Sequence, residues 1–198
     1  MKNKNKLIFF ALLASISLFC FILNKKMEIE NNQQLHEKLY KKEEFKKMNE
    51  ELNEKISQSF IQDILCEDVE GNMHSLSGLV SQHPVLFYRY SELHCTPCYE
   101  SELISLQEYF SEMEQNIGIL CSFQSKRYFI LSNRERQIKL SFFRIAHDAF
   151  DWSLEEHREP YFFVLHPDMK ISHIYVPNKA YPESNKQYLE GVKRFLLE

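Results

Sequence analysis

Val85-Leu86-Phe87-Tyr88-Arg89-Tyr90 is a run of strand length, apolar but for Arg89, and after four intervening residues the chain reads Cys95-Thr96-Pro97-Cys98. The segment that follows, residues 99–114, places Leu103, Leu106, Tyr109, Phe110 and Met113 at helical steps. A continuous run of this kind suits a central strand covered on both faces. The fold must therefore deliver two cysteines to a strand-to-helix junction. Two thiols three residues apart on one helical turn close a small disulfide ring. At a helix N-terminus the free backbone N–H groups and the helix dipole favour thiolate over thiol. The first thiol is thereby drawn from about 8.5 toward neutrality. Cys95, at the exposed end, is the candidate nucleophile, and Cys98, one turn inside, the candidate resolving thiol. Pro97 suits the first turn, where its missing N–H costs nothing, and Thr96 between the sulfurs is placed to tune their redox poise.

The elements around this junction alternate. Residues 60–66 have strand character, Glu70-Gly71-Asn72 is a turn signal, and residues 73–76 supply a return strand, with a short helical turn around 77–81. Ile117-Gly118-Ile119-Leu120-Cys121-Ser122-Phe123 is a second buried strand. A helix is expected around residues 132–137, a strand over 142–145 and a helical turn over 153–157. Tyr161-Phe162-Phe163-Val164-Leu165 is a clear strand, His166-Pro167-Asp168-Met169 a turn, and residues 170–176 its hairpin partner. Residues 182–197 close the chain with Tyr188, Leu189, Val192, Phe195 and Leu196 on one helical face. Alternating elements with a terminal hairpin and helix predict an α/β domain over residues 59–198.

The chain has 198 residues, 44% of them apolar, enough for a real core. A net charge of −4 gives no basic footprint, so nucleic acid is not an expected partner. Five cysteines are too few for a disulfide-stapled scaffold. Residues 7–23 carry no charge, and as a helix they would be roughly 26 Å long, near the thickness of a hydrocarbon core. Lys2, Lys4 and Lys6 precede this span and favour a cytoplasmic N-terminus. The expected order is a cytoplasmic tail over 1–6, a signal anchor over 7–23, and an exported remainder. A cleaved signal peptide using Ser15 and Ser17, or a lipid-bearing Cys20, are the competing readings; Phe19 stands where a lipoprotein needs a small residue. Residues 24–58 hold eight Lys and eight acidic residues without Gly or Pro. They predict a charged helical linker, a spacer rather than a coiled coil, because the apolar phase slips between Leu39 and Phe45.

The dithiol has other readings. A four-cysteine zinc site needs a second pair, and Cys66 and Cys121 lie in separate strands as small core residues. His94 with Cys95 and Cys98 would make a metal site only if adjacent side chains on an extended segment converged, so no metal ligand is expected. Haem attachment fails because Tyr99, not His, follows Cys98.

With these residues in place, the sequence resembles the thioredoxin superfamily, and within it the membrane-tethered, TlpA-like (redoxin) thiol–disulfide oxidoreductases. The resemblance covers roughly residues 60–198. It rests on Asp68-Val69-Glu70-Gly71 leading to Leu76-Ser77, the strand over 85–90, Cys95-Thr96-Pro97-Cys98, and Pro160 entering the strand over 161–165. It implies a thioredoxin-like fold, a central mixed sheet flanked by helices, with Cys95 as nucleophile and Cys98 as resolving thiol. It implies a cis bond before Pro160 beside the disulfide, and substrate backbone contacts at Glu159. No cofactor is implied beyond the disulfide of Cys95 with Cys98. The implied partners are exported proteins carrying disulfides or thiols, with a membrane thiol relay as electron donor and the domain in the periplasm or an equivalent space.

The chain departs from the family at three places. His94 stands where Trp usually precedes the nucleophile, and a protonated ring there would stabilise the thiolate. Arg89 stands six residues before Cys95, where thioredoxins bury an acid that helps deprotonate the resolving thiol. Arg cannot act as a base, so Glu92 or Glu159 would have to move the proton, or Cys98 reacts slowly. A buried Arg89 also demands a partner, with Glu92, Glu100 and Glu102 as candidates. Residues 126–158 do not match the family closely. A peroxidase would carry Thr or Ser three residues before its reactive Cys, and here Glu92 holds that place. Besides the oxidoreductase, a redox-idle scaffold and a thiol-based metal carrier remain open, and the direction of electron flow is not fixed by the motif.

Overall fold

The computed structural model describes residues 2–57, 59–94, 96–136, 138–150, 153–156 and 159–198, with backbone alone for 2–20, 22, 96–98, 153 and 156. Two compact units result, Met1–Lys47 and Met48–Glu198. The first is helical, within α1 (Lys2–Ile56). Its described side chains are exposed apart from Phe45, with surface pairs such as Lys41 with Glu37 at 2.6 Å. The span expected over 7–23 falls almost wholly outside the described side chains. Among the described residues no helix is long and apolar enough to cross a membrane.

The second unit is a seven-stranded sheet in the order β2-β1-β5-β4-β3-β6-β7. Its strands are β1 (Leu65–Asp68), β2 (Met73–Ser75), β3 (Val85–Ser91), β4 (Ile117–Ser122), β5 (Ser141–Arg144), β6 (Tyr161–Leu165) and β7 (Ile171–Tyr175). β3, β4 and β5 run parallel, and the strands on either side are antiparallel. The helices are α2 (Leu76–Leu79), α3 (Thr96–Tyr109), α4 (Lys126–Arg134), α5 (Ser153–Glu156) and α6 (Pro182–Leu196). Every residue of β3, β4 and β6 is buried, as a strand covered on both faces requires.

The two faces are filled differently. Phe87, Leu120, Phe143 and Phe163 pack with Leu76 of α2 and Leu154 of α5. On the opposite face Tyr88 stacks on Phe162 within the sheet at 4.5 Å, and two further stacks tie the sheet to α3 and α6, Tyr90 on Tyr99 at 4.4 Å and Tyr175 on Tyr188 at 4.3 Å. Gly118 sits opposite Phe87 in the β3–β4 register. A Cβ there would lie 2.4 Å from the Phe87 ring, so this central position excludes any side chain. Lys193 of α6 donates to the Tyr109 carbonyl at 2.7 Å, closing the C-terminus of α3 with a cation.

Several expectations shift. The strand expected over 60–66 begins only at Leu65, because residues 59–61 bond instead to Met169 and Ile171. The helix expected around 132–137 runs earlier, over Lys126–Arg134, where Ser125 caps it by accepting the Tyr128 N–H. The compact unit also starts at Met48, ahead of the Ser59 boundary. Leu52 and Ile56 of α1 pack on the core. Asn49 accepts the Val176 N–H at 2.7 Å, and Asn53 accepts the Ile174 N–H at 3.0 Å. The last turns of α1 thus cover the edge strand β7, whose open N–H groups would otherwise template pairing with another chain.

Asn49→Ala is expected to strand the Val176 N–H and lower stability by about 1–3 kcal/mol. Urea denaturation checks this as a lower midpoint at unchanged slope.

Candidate active site

The C-terminal end of β3 sets the position of the dithiol segment. Ser91 fixes the turn that follows: its carbonyl accepts the His94 N–H at 3.0 Å and its Oγ accepts the Leu93 N–H at 3.1 Å. Its own N–H donates to His94 Nδ1 at 3.1 Å. Glu92 extends the ladder by donating its N–H to the Ser122 carbonyl at 3.0 Å, and its Oε1 accepts the Gln124 N–H at 2.7 Å. The chain is therefore held on both sides immediately before α3, which opens at Thr96. Cys95 lies outside the described residues. Thr96, Pro97 and Cys98 form the first helical turn as backbone. That is the junction the sequence predicts, strand end to helix start.

β6 brings the second predicted segment to the same end of the sheet. Tyr161 pairs with Arg89 in the antiparallel register, so Pro160 stands one step beyond, beside the exit of β3. Glu159 is exposed and Pro160 half-buried. The cis expectation for Pro160 is corrected: no peptide bond among the described residues is cis. A trans bond leads into Pro160, which directly precedes the paired Tyr161.

Arg89 is 1% exposed and its partner is none of the three acids the sequence suggested. Glu155 of α5 receives the guanidinium through two parallel bonds, Nε to Oε1 and Nη2 to Oε2, both 2.9 Å. Tyr161 donates its hydroxyl to the same Oε1 at 2.7 Å, and Arg89 Nη1 also donates to the Tyr90 carbonyl. Burial, and then the Glu155 charge, hold the Tyr161 phenol well above its ordinary range. The rejected candidates have other work. Glu92 is tied to Gln124. Glu100 faces Arg136 at 3.8 Å. Glu102 accepts from Asn185 at 3.2 Å, and burial raises its carboxyl pKa. Sequence reasoning missed Glu155 because it lies 66 residues from Arg89 in a segment with no periodicity. The one usable signal was Arg89 itself, since a buried cation requires an acid.

The His94 expectation is also corrected. Burial pushes its pKa down to about 4, with Arg89 and His147 adding repulsion. The Ser91 N–H donating into Nδ1 fits a neutral ring. His94 is thus uncharged near neutral pH, and the fixed cation at this end of the sheet is Arg89. Cys66 and Cys121 are buried, free thiols, each raised by burial to about 12. They behave as core residues, as expected. Among the described residues no group of three His, Cys, Asp or Glu could hold a metal ion.

A mixed sheet with three parallel central strands, a helix leaving the end of β3 and a terminal hairpin covered by α6 has counterparts among solved structures. The fold is thioredoxin-like. The thioredoxin domain of a thiol-disulfide oxidoreductase from Bacteroides vulgatus matches with a TM-score of 0.50 at 15% identity, over 67% of this chain and 97% of that one. A thiol:disulfide interchange protein from Bacteroides sp. matches at 0.51 and 17%, over 69% and 92%. A peroxidoxin from Mycobacterium tuberculosis matches at 0.50 and 15%, over 70% and 96%. The sequence matches no family model and no curated protein. The thioredoxin-like sheet therefore stands on structure, and the dithiol on this chain's own residues.

Glu155→Gln leaves a buried guanidinium without its anion and is expected to destabilise the fold by about 3 kcal/mol. Arg89→Met with Glu155→Leu, which removes both charges, is expected to recover most of that loss. A double-mutant cycle in urea checks both.

Proposed function

We propose that the chain is a membrane-anchored thiol–disulfide oxidoreductase that reduces disulfides of exported proteins. The observation that carries this reading is the Cys95-Thr96-Pro97-Cys98 sequence at the junction of β3 and α3 in a thioredoxin-like sheet. The Cys95 thiolate attacks one sulfur of a partner disulfide and expels the other as thiolate. The Cys98 thiolate then attacks Cys95 in the mixed disulfide. The partner leaves with both cysteines reduced, having gained two electrons and, on leaving, two protons. The chain keeps the disulfide of Cys95 with Cys98, and a membrane dithiol relay returns it to the reduced state by the same exchange. Helix-terminal N–H groups stabilise the attacking thiolate. Glu159 and Pro160, at the same end of the sheet, offer backbone to an extended partner. The uncharged run over 7–23, preceded by Lys2, Lys4 and Lys6, anchors the chain with its domain outside the cytoplasm.

A second reading, a redox-idle thioredoxin-like scaffold, is favoured by one observation. Arg89, already saturated by Glu155, occupies the place where the family keeps its proton-transferring acid. Peroxide reduction is disfavoured by Glu92 in place of Thr or Ser.

Reduction of insulin or of a disulfide peptide separates the readings. Wild type is expected to turn over, Cys95→Ser to lose activity by about a hundredfold or more, and Cys98→Ser to accumulate the mixed disulfide. Equal rates from wild type and Cys95→Ser would remove Cys95 from the chemistry and leave the scaffold.

A further inference from the structure

Beside the dithiol helix runs a groove that the electron exchange does not use. It lies between α3 and the segment after α4, encloses about 360 Å³, and is lined by Glu100, Ile104, Gln107, Glu108, Arg136 and Ile138. Ile104 is 54% exposed although it sits mid-helix. Gln107 and Arg136 fix the opposite wall. Gln107 Oε1 accepts the Lys139 N–H at 3.0 Å, and Arg136 lies over the Tyr99 ring at 5.5 Å. Arg136 also donates to Asn133 Oδ1 at 2.5 Å and to the Tyr90 hydroxyl at 3.2 Å. The groove is thus preformed, with an aliphatic floor.

Its lining carries two Glu, Glu100 and Glu108, against one cation, Arg136. α3 reads TPCYESELISLQEY, with three Glu and no basic residue. The Arg136 charge faces Glu100 at 3.8 Å. Glu108, on the rim, makes no ion pair among the described residues. An apolar slot with an uncompensated carboxylate at its mouth selects an aliphatic side chain next to a cation.

Backbone spacing sets the reach. From position 96 to Ile104 the helix advances about 12 Å, which an extended chain covers in about four residues. We propose that this groove docks an extended segment of the partner protein, one carrying an aliphatic side chain flanked by Lys or Arg, about four residues from the cysteine that reacts at the dithiol. The inference rests on the oxidoreductase reading for its orientation toward Cys95, and its test is independent of turnover.

The full chain is titrated with a fluorescein-labelled peptide holding Lys-Leu-Lys four residues from a Ser that stands in for the reactive cysteine. Controls carry Glu-Leu-Glu or Lys-Ser-Lys. The Lys-Leu-Lys peptide is expected to bind about tenfold tighter than either control. Ile104→Ser is expected to abolish the Leu preference and Glu108→Lys to reverse the charge preference. Both positions are solvent-exposed, so the fold tolerates the changes. Reduction of hydroxyethyl disulfide, too small to fill the groove, is expected to stay unchanged in both variants. Affinities within about twofold across the peptides, or insensitive to Ile104→Ser, would overturn the proposal. So would self-association that Ile104→Ser abolishes, which would assign the groove to a second copy. A wild type inactive on hydroxyethyl disulfide would defeat the oxidoreductase reading, and the groove would still be judged by the peptide affinities.

Discussion

The pair of Arg89 with Glu155 organises the end of the sheet where the chemistry is proposed. A guanidinium 1% exposed survives there because a carboxylate meets it in two parallel bonds and a phenol completes the carboxylate's shell. Three elements are tied by that cluster: β3 through Arg89, β6 through Tyr161, and α5 through Glu155. Such a pair adds little net stability over well-packed apolar residues, but leaving one partner alone is costly. Its effect is therefore to fix one arrangement of α5 against the sheet. It also sets the local electrostatics, since the Arg89 charge is one reason that His94 stays neutral.

The scaffold around this cluster is divided by face. Aliphatic and Phe side chains fill the side of α2 and α5, while stacked tyrosines hold α3 and α6 on the other. The start of α3 is held between a Ser91-centred turn and the stacking of Tyr99 on Tyr90, and Lys193 holds its end. The far edge of the sheet is closed by Asn49 and Asn53 from the end of α1, so the compact unit includes residues that composition alone assigns to a linker.

Much of this architecture was legible in the sequence, and for definite reasons. Residues 85–90, 117–123 and 161–165 are apolar runs too short for helices and too continuous for exposed strands, and all three supply strands buried along their whole length. α6 announces itself by Leu189 and Val192 on one buried face with Pro182 at its start. Elsewhere the local pattern competes with distant partners. Phe60 has strand character but is 67% exposed, and its neighbours bond to residues around 170. Glu155 carries no local mark of its role, because the need for it arises at Arg89. His94 looks like a group that titrates near neutral pH, and only its burial beside a cation shows that its pKa is pushed down to about 4. Pro160 carried a cis bond only by resemblance, and the bond before it is trans.

All of the proposed chemistry requires a Cys95 thiolate at neutral pH. Absorbance of the thiolate near 240 nm, followed against pH in the full chain carrying Cys20→Ala and Cys98→Ser, measures this directly, because the remaining Cys66 and Cys121 ionise only far higher. The account predicts a transition below about 7.5 for Cys95. A transition at about 8.5 or above would contradict it, leaving a thioredoxin-like domain whose first cysteine is an ordinary thiol.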